Sequence, residues 1–428
     1  MADTPVNLIA RTLIFPLIFA ASALAQSTPP ASLGDALEVS LITIGPGAES
    51  YEAFGHNALV IRNTQNGASA AYNYGVFDFD QENFYWRFIQ GRMLYTMAVF
   101  PVQSMIADYI AHDRTIWEQV LNLSADQKLA LLDDLENNAK PQNRDYLYDY
   151  YRNNCSTKVR DALDAAGVLD GLIRQKTATA FPGTTYRWHT RRLTVGTPPL
   201  YIALEAVLGQ PVDRPISRWE EMFLPDKLRD FIREAAIPTI SGQSVPLLKS
   251  ERLLHRSSRF VDRPAPPPVA WKYLLFGLVF AGVLMSLGRH LSGSKWARMT
   301  WGALAVLWMA VAGFGGSFGT WAWFFTNHTA AAHNENLLSL NVVLIALIVM
   351  TPPALARRHR GLRLARILAN FAASTAVLAL LLKALPAFYQ YNWDILALAI
   401  PIQLSIAWTL WRLSRRPAEI TSRSVQEN

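Results

Sequence analysis

The chain has 428 residues, enough for two or three domains that each bury a core. Hydrophobic residues make up 51% of it, and the formal charge is +7 from 40 Lys and Arg against 33 Asp and Glu. The basic excess does not read as a nucleic-acid surface: many of these residues flank apolar runs, as at Arg357, Arg358, Arg360, Arg363 and Arg366, where they retain loops in the cytoplasm and meet anionic head groups.

In chain order, Arg11 precedes a short apolar core and the small-x-small pattern Ala23-Leu24-Ala25. This predicts a secretory signal peptide over residues 1–25, the core being short for a spanning helix. An uncleaved anchor is the alternative and leaves the topology unchanged. Residues 26–32 read as a linker. Residues 33–262 form the extracytoplasmic domain and have an α+β pattern. Leu37–Ile44, Asn57–Ile61, Ala70–Gly75 and Met93–Phe100 have strand composition, and Gln81–Gln90 and Val102–His112 look helical. Ser124 and Gln127 make a capping box that opens a helix running to about Asn138. Another helix is expected from near Cys155 to Ala166, stopped by Gly167.

The Pro-rich segment 263–269 is a second linker. Five apolar stretches follow within 270–411, at about 270–288, 299–325, 337–356, 365–386 and 393–411, each near the roughly 20 residues that cross a bilayer. The segments around Arg289–Arg298 and Arg357–Arg366 and the tail 412–428 are basic, whereas the turns around Asn327–Asn336 and Pro386–Asn392 carry no Lys or Arg. With the N-terminal domain outside, five spans place every basic segment inside.

The single cysteine, Cys155, can make no internal disulfide, so in an oxidising compartment it is a leftover or a working thiol. It lies in Tyr148-Asp-Tyr-Tyr-Arg-Asn-Asn-Cys155-Ser-Thr-Lys. Asn153 or Asn154 is a good N-cap, which puts Cys155 in the first turn of a helix, where free amides and the helix dipole favour the thiolate. A nucleophile is favoured over an inert cysteine, since its neighbours are polar. The best candidate base is His56, at the head of a strand in Phe54-Gly-His-Asn-Ala-Leu; the alternative is a strand-edge histidine bonded to solvent. His112 and His189 are weaker candidates. Tyr51, Glu52 and Asn154 could orient the imidazole or donate to an oxyanion, with no spacing argument to choose among them. The turn Phe325–Leu337 is rich in polar residues, including His328, His333, Asn334 and Asn336; it either closes over a substrate or is a hydrated loop. There is no close histidine pair for a metal in the soluble domain, no phosphate-cradling loop and no G-x-S-x-G elbow, so no metal or cofactor is called for.

Gly55-His56-Asn-Ala-Leu, Tyr72-Asn-Tyr-Gly75 with Phe77-Asp-Phe79, Gly91-x-x-x-Tyr95, Leu121-Asn-Leu123, Asn154-Cys155, Phe223-Leu-Pro225 and the His328 to Asn336 loop follow in this order. In this ordered set the chain resembles the Lnb-type bacterial lipoprotein N-acyltransferases over nearly the whole mature length. The resemblance implies a permuted papain-like (NlpC/P60-related) α+β domain ahead of an all-α bundle of about five transmembrane helices in the bacterial inner membrane. It also implies His56 as base, Cys155 as nucleophile, a phospholipid acyl donor, a lipoprotein acceptor and no cofactor. The rivals are a membrane-anchored peptidoglycan peptidase or other thiol hydrolase, and a non-catalytic membrane assembly protein.

Overall fold

The computed structural model describes residues 33–78, 80–169, 183–238, 244–259, 263–356 and 358–415. The expected signal peptide, its linker, Phe79 and most of the basic tail lie outside these residues. Two regions follow one another: a mixed α/β domain built on a sheet, and a helical region with five helices long and apolar enough to cross a membrane.

The sheet has seven antiparallel strands in the order β6-β4-β3-β2-β1-β5-β9. They are β1 (Leu37–Ile44), β2 (His56–Asn63), β3 (Ser69–Val76), β4 (Leu94–Phe100), β5 (Ile116–Leu121), β6 (Asp145–Leu147) and β9 (Leu248–His255); a small hairpin of β7 (Ala236–Pro238) and β8 (Ser244–Pro246) precedes β9. β1 is buried along nearly its whole length because helices cover both faces of the sheet. Strand periodicity sorts its side chains. Ile42, Ile44, Ala58, Val60 and Ala71 meet α2 (Val102–Ala111) through Val102 and Met105. Val39, Leu41, Leu59, Ile61, Tyr72 and Tyr74 meet α3 (Ala125–Ala139), α4 (Cys155–Ala165) and the helix Pro225–Glu234.

The expected Ser124–Gln127 capping box is present, each side chain accepting from the other residue's backbone. Of the two cap candidates for α4, Asn154 is the cap: its Oδ1 accepts from Thr157 N–H at 2.9 Å. β5 and β9 lie outside the predicted strands. Their inner residues include Glu118 and Gln119, which are polar yet buried; Glu118 pairs with Arg252, and Gln119 donates to the Arg229 carbonyl at 3.0 Å.

After α4 come α5 (Tyr186–Thr194), α6 (Pro198–Val207) and α7 (Pro225–Glu234), with a single turn at Arg218–Glu221 between the last two. α5 carries Arg187, His189, Arg191 and Arg192, yet all four are buried. Arg187 donates to Asp213 at 2.9 Å, His189 meets Glu221 at 2.9 Å, and Arg192 donates to Asp226 at 2.9 Å. Arg191 reaches Asp394 of the helical region at 3.3 Å.

The helical region comprises α8 (Ala270–Arg289), α9 (Lys295–Phe325), α10 (Val343–Leu355, the α-helical part of the span Glu335–Leu355), α11 (His359–Leu382) and α12 (Trp393–Arg415). Small residues set the closest helix approaches, as expected where apolar solvent surrounds the bundle. A Cβ on Gly277 would come within 2.9 Å of the Leu398 carbonyl oxygen, and one on Gly288 within 2.7 Å of Thr409 Oγ1. Outward-facing Phe276, Val279, Val311, Phe314, Phe371 and Leu381 are exposed, as lipid-facing positions would be.

The polar loop between α9 and α10 is partly a buried joint: Asn334, Glu335 and Asn336 are buried, whereas Asn327, Thr329 and His333 are exposed. Asn334 Nδ2 donates to the carbonyls of Ala206 and Val207 at 2.9 and 3.0 Å, and Asn336 Nδ2 to Glu205 at 2.7 Å. These are carbonyls that the end of α6 leaves without helical partners. His328 Nε2 donates to the Phe88 and Ile89 carbonyls at the end of α1 (Phe84–Ile89), and His333 packs on Trp323.

Candidate active site

Cys155 begins α4 and is buried, with α4 packed against β2 and β3. The amides of Asn57, Ser156 and Cys155 itself favour the charged form of its thiol. Asn57 follows His56 in β2, and Ser156 follows Cys155 in α4. Their side chains join the two elements: Asn57 Nδ2 donates to Ser156 Oγ at 3.0 Å, and Ser156 Oγ donates to the Met222 carbonyl at 2.7 Å. Strand β2 and the start of α4 are thereby joined by two residues flanking the candidate pair.

His56 opens β2 directly after Gly55, whose φ of +81° and close approach to the Ile44 carbonyl suit a residue without a Cβ. Across the hairpin Ala58 pairs with Asn73, so His56 lies diagonal to Asn73 on the same face. The imidazole Nε2 is 3.1 Å from Asn73 Oδ1. Asn73 Nδ2 donates to the Ala71 carbonyl at 3.1 Å, which orients the amide with its oxygen toward the ring. An oxygen there accepts, so Nε2 carries the proton and Nδ1 is left as the basic nitrogen. Gly75, with φ +84°, completes the site: a Cβ there would lie 3.1 Å from Cys155 Cβ.

Electrostatics modify the expectation of a thiolate. Burial pushes the Cys155 thiol above its ordinary value, and the three amides and the Arg114 charge pull it down only in part. Burial pushes His56 down to about 4; the Asn73 bond opposes this shift and Arg114 adds to it. Desolvation therefore outweighs the helix start. At neutral pH the two groups rest as a neutral thiol and a neutral imidazole.

The other candidate residues hold partners of their own. The amide nitrogen of Asn154 donates to the Tyr150 and Phe223 carbonyls at 2.9 Å each, and its oxygen caps α4. Glu52 accepts from buried Arg114 at 3.1 Å, while Arg114 also donates to the Gly45 carbonyl. Tyr51 is exposed and sets its edge on Phe77. His328, Asn334 and Asn336 serve the joint described above, and exposed His333 packs on Trp323. The motifs of the sequence contain Asn57, Asn73 and Gly75, but the sequence reading gave none of them a role. An asparagine within a strand of small and aromatic residues was visible, but its diagonal relation to His56 depends on hairpin register.

Residues 31–192 match the family model described as the Lnb N-terminal periplasmic domain, a stretch that includes His56, Asn73 and Cys155. No curated protein and no solved structure gives a match. The match supports Lnb-type membership. A periplasmic domain joined to five helices of membrane-spanning length and apolarity is consistent with a multi-pass protein of the inner membrane.

Proposed function

We propose that the protein is a lipoprotein N-acyltransferase of the Lnb type, with a permuted papain-like domain in which Cys155 is the nucleophile and His56 the base. One observation carries this reading: Asn57, the residue after His56 in β2, donates from Nδ2 to Ser156 Oγ, the residue after Cys155, at 3.0 Å, which pins the head of β2 to the start of α4, and Asn73 Oδ1 holds His56 Nε2 at 3.1 Å. Cys, His and Asn in these roles are the papain-like variant of the nucleophilic triad. The acyl donor would be a phospholipid confined to the bilayer that the five apolar helices cross.

In the first half-reaction Cys155 Sγ attacks the ester carbonyl as His56 Nδ1 takes the thiol proton. The ester C–O bond breaks, the imidazolium protonates the leaving lysophospholipid oxygen, and an acyl thioester remains. In the second, the α-amine of a diacylglyceryl-cysteine attacks the thioester. His56 relays the amine proton to the departing sulfur as the C–S bond breaks, giving the amide and the free thiol. The amides of Asn57, Ser156 and Cys155 supply donors for the oxyanion. Neutral resting groups suit this scheme, because the imidazole is unprotonated and ready to accept.

The test is mass spectrometry of a lipoprotein N-terminal peptide from cells lacking their own N-acyltransferase. An added N-linked acyl chain with this protein, absent with Cys155→Ala, is the expected result. Unchanged lipidation with the protein present in the membrane would refute the proposal.

A further inference from the structure

The α1 helix has no evident task in the thiol chemistry, yet three of its six residues are large exposed rings: Tyr85, Trp86 and Phe88, at 71%, 55% and 42% exposure. A water-facing domain does not normally present such a cluster without a partner. The end of this helix is clamped to the helical region. Asn327 N–H donates to the Gln90 carbonyl at 2.9 Å beside the His328 bonds, and Gly91, at φ +68°, allows that backbone contact at a distance where a Cβ would not fit. Trp86 lies 6.4 Å from Trp321 of α9, and the same end of α9 exposes Phe324 and Phe325. The exposed rings of α1 thus continue the apolar surface of a membrane-spanning helix. Exposed Arg87 and Arg92 accompany them, suitably charged for lipid phosphate.

Inward from α1 the rings do not stop. Phe84 faces Phe77 at 6.3 Å, Phe77 faces Tyr95 at 5.2 Å, and Tyr95 stacks on Tyr148 at 4.0 Å. Tyr95 adjoins Thr96, which pairs with Val76 of β3, and Val76 follows Gly75, the residue against Cys155. Phe77, Tyr95 and Tyr148 are half-buried.

We infer that this line of rings, from Tyr85, Trp86 and Phe88 through Phe84 and Phe77 to Tyr95 and Tyr148, is the binding track along which a phospholipid acyl chain leaves the bilayer and reaches Cys155. The inference rests on the acyl-transfer reading and names its donor subsite. An acyl chain fits such a track because aromatic faces bury methylene groups without demanding hydrogen bonds, and the tyrosine hydroxyls near the thiol leave a polar end for the ester.

The test uses the full-length Cys155→Ala protein in nanodiscs of phosphatidylethanolamine and phosphatidylglycerol with a diazirine on one acyl chain. Labelled residues are mapped by mass spectrometry. Label on the α1 rings and on Phe77, Tyr95 or Tyr148, and none on exposed Leu253 at the opposite sheet edge, is the expected pattern. The triple variant Tyr85→Ser, Trp86→Ser, Phe88→Ser should reduce label at Tyr95 by roughly tenfold. Label confined to α8–α12 would overturn the track. Labelling needs no turnover, so the two readings separate. Transfer by the wild type without label on the rings removes the track and leaves the activity. Label on the rings without transfer by the wild type keeps the lipid track and removes the activity.

Discussion

Asn73→Ala takes away the acceptor of the His56 Nε2 proton. The ring then has a partly buried N–H without its partner and no longer has a reason to keep Nδ1 free. Leaving such a donor unsatisfied costs about 1–3 kcal/mol. If the cost falls on the reactive tautomer and orientation, transfer slows by roughly 5- to 150-fold at about 1.4 kcal/mol per decade. Asn73→Asp provides the contrast. A carboxylate at the position of Oδ1 still accepts from Nε2–H, and it also stabilises the imidazolium, raising His56 from about 4. The acid limb of the rate, set in the wild type by protonation of His56, should move to higher pH. The assay is acyl transfer to a diacylated lipopeptide by purified protein in nanodiscs, followed from pH 4 to 8. A wild-type rate in Asn73→Ala, or an unmoved acid limb in Asn73→Asp, would refute the assignment of Asn73 as the residue that positions His56.

Gly75→Ala forces an L residue into a left-handed backbone and sets its methyl against Cys155; it should cost about 1–2 kcal/mol of stability and a larger share of transfer, read by thermal unfolding beside the nanodisc assay. His56 binds its proton less readily in the folded protein than in the unfolded chain, so stability should be lost as pH falls from about 6.5 to about 4, by no more than about 1.4 kcal/mol per pH unit. Buried His189, also shifted down, adds in the same direction, and His56→Gln should flatten the slope of unfolding free energy against pH without abolishing it. Asp394→Ala leaves Arg191 buried and removes the acceptor of the Tyr201 hydroxyl, so it should weaken the joint by about 3–5 kcal/mol, seen as earlier release of the periplasmic domain in limited proteolysis. Asn336→Ala uncaps the Glu205 carbonyl at the end of α6 and should cost about 1 kcal/mol in the same assay, with no loss of intrinsic transfer rate.

Local chemistry made much of this protein legible from its residues alone. A run of about 20 apolar residues has few soluble alternatives, so the five long helices could be read directly, and a capping box declares its own helix. Cys155 at a helix start and His56 at a strand head were likewise legible, because cap chemistry and strand composition act within a few residues. What the sequence could not decide was every feature that depends on pairing across distance. Hairpin register put Asn73 diagonal to His56, and sheet order brought β5 and β9 together around buried Glu118. Burial decided two further features. The arginine-rich α5 lies inside the domain joint, where carboxylates from four separate segments and a carbonyl from the end of α6 satisfy it. Cys155, whose polar neighbours and helix start argued for a thiolate, keeps its proton because the folded domain excludes the water that would stabilise the charge.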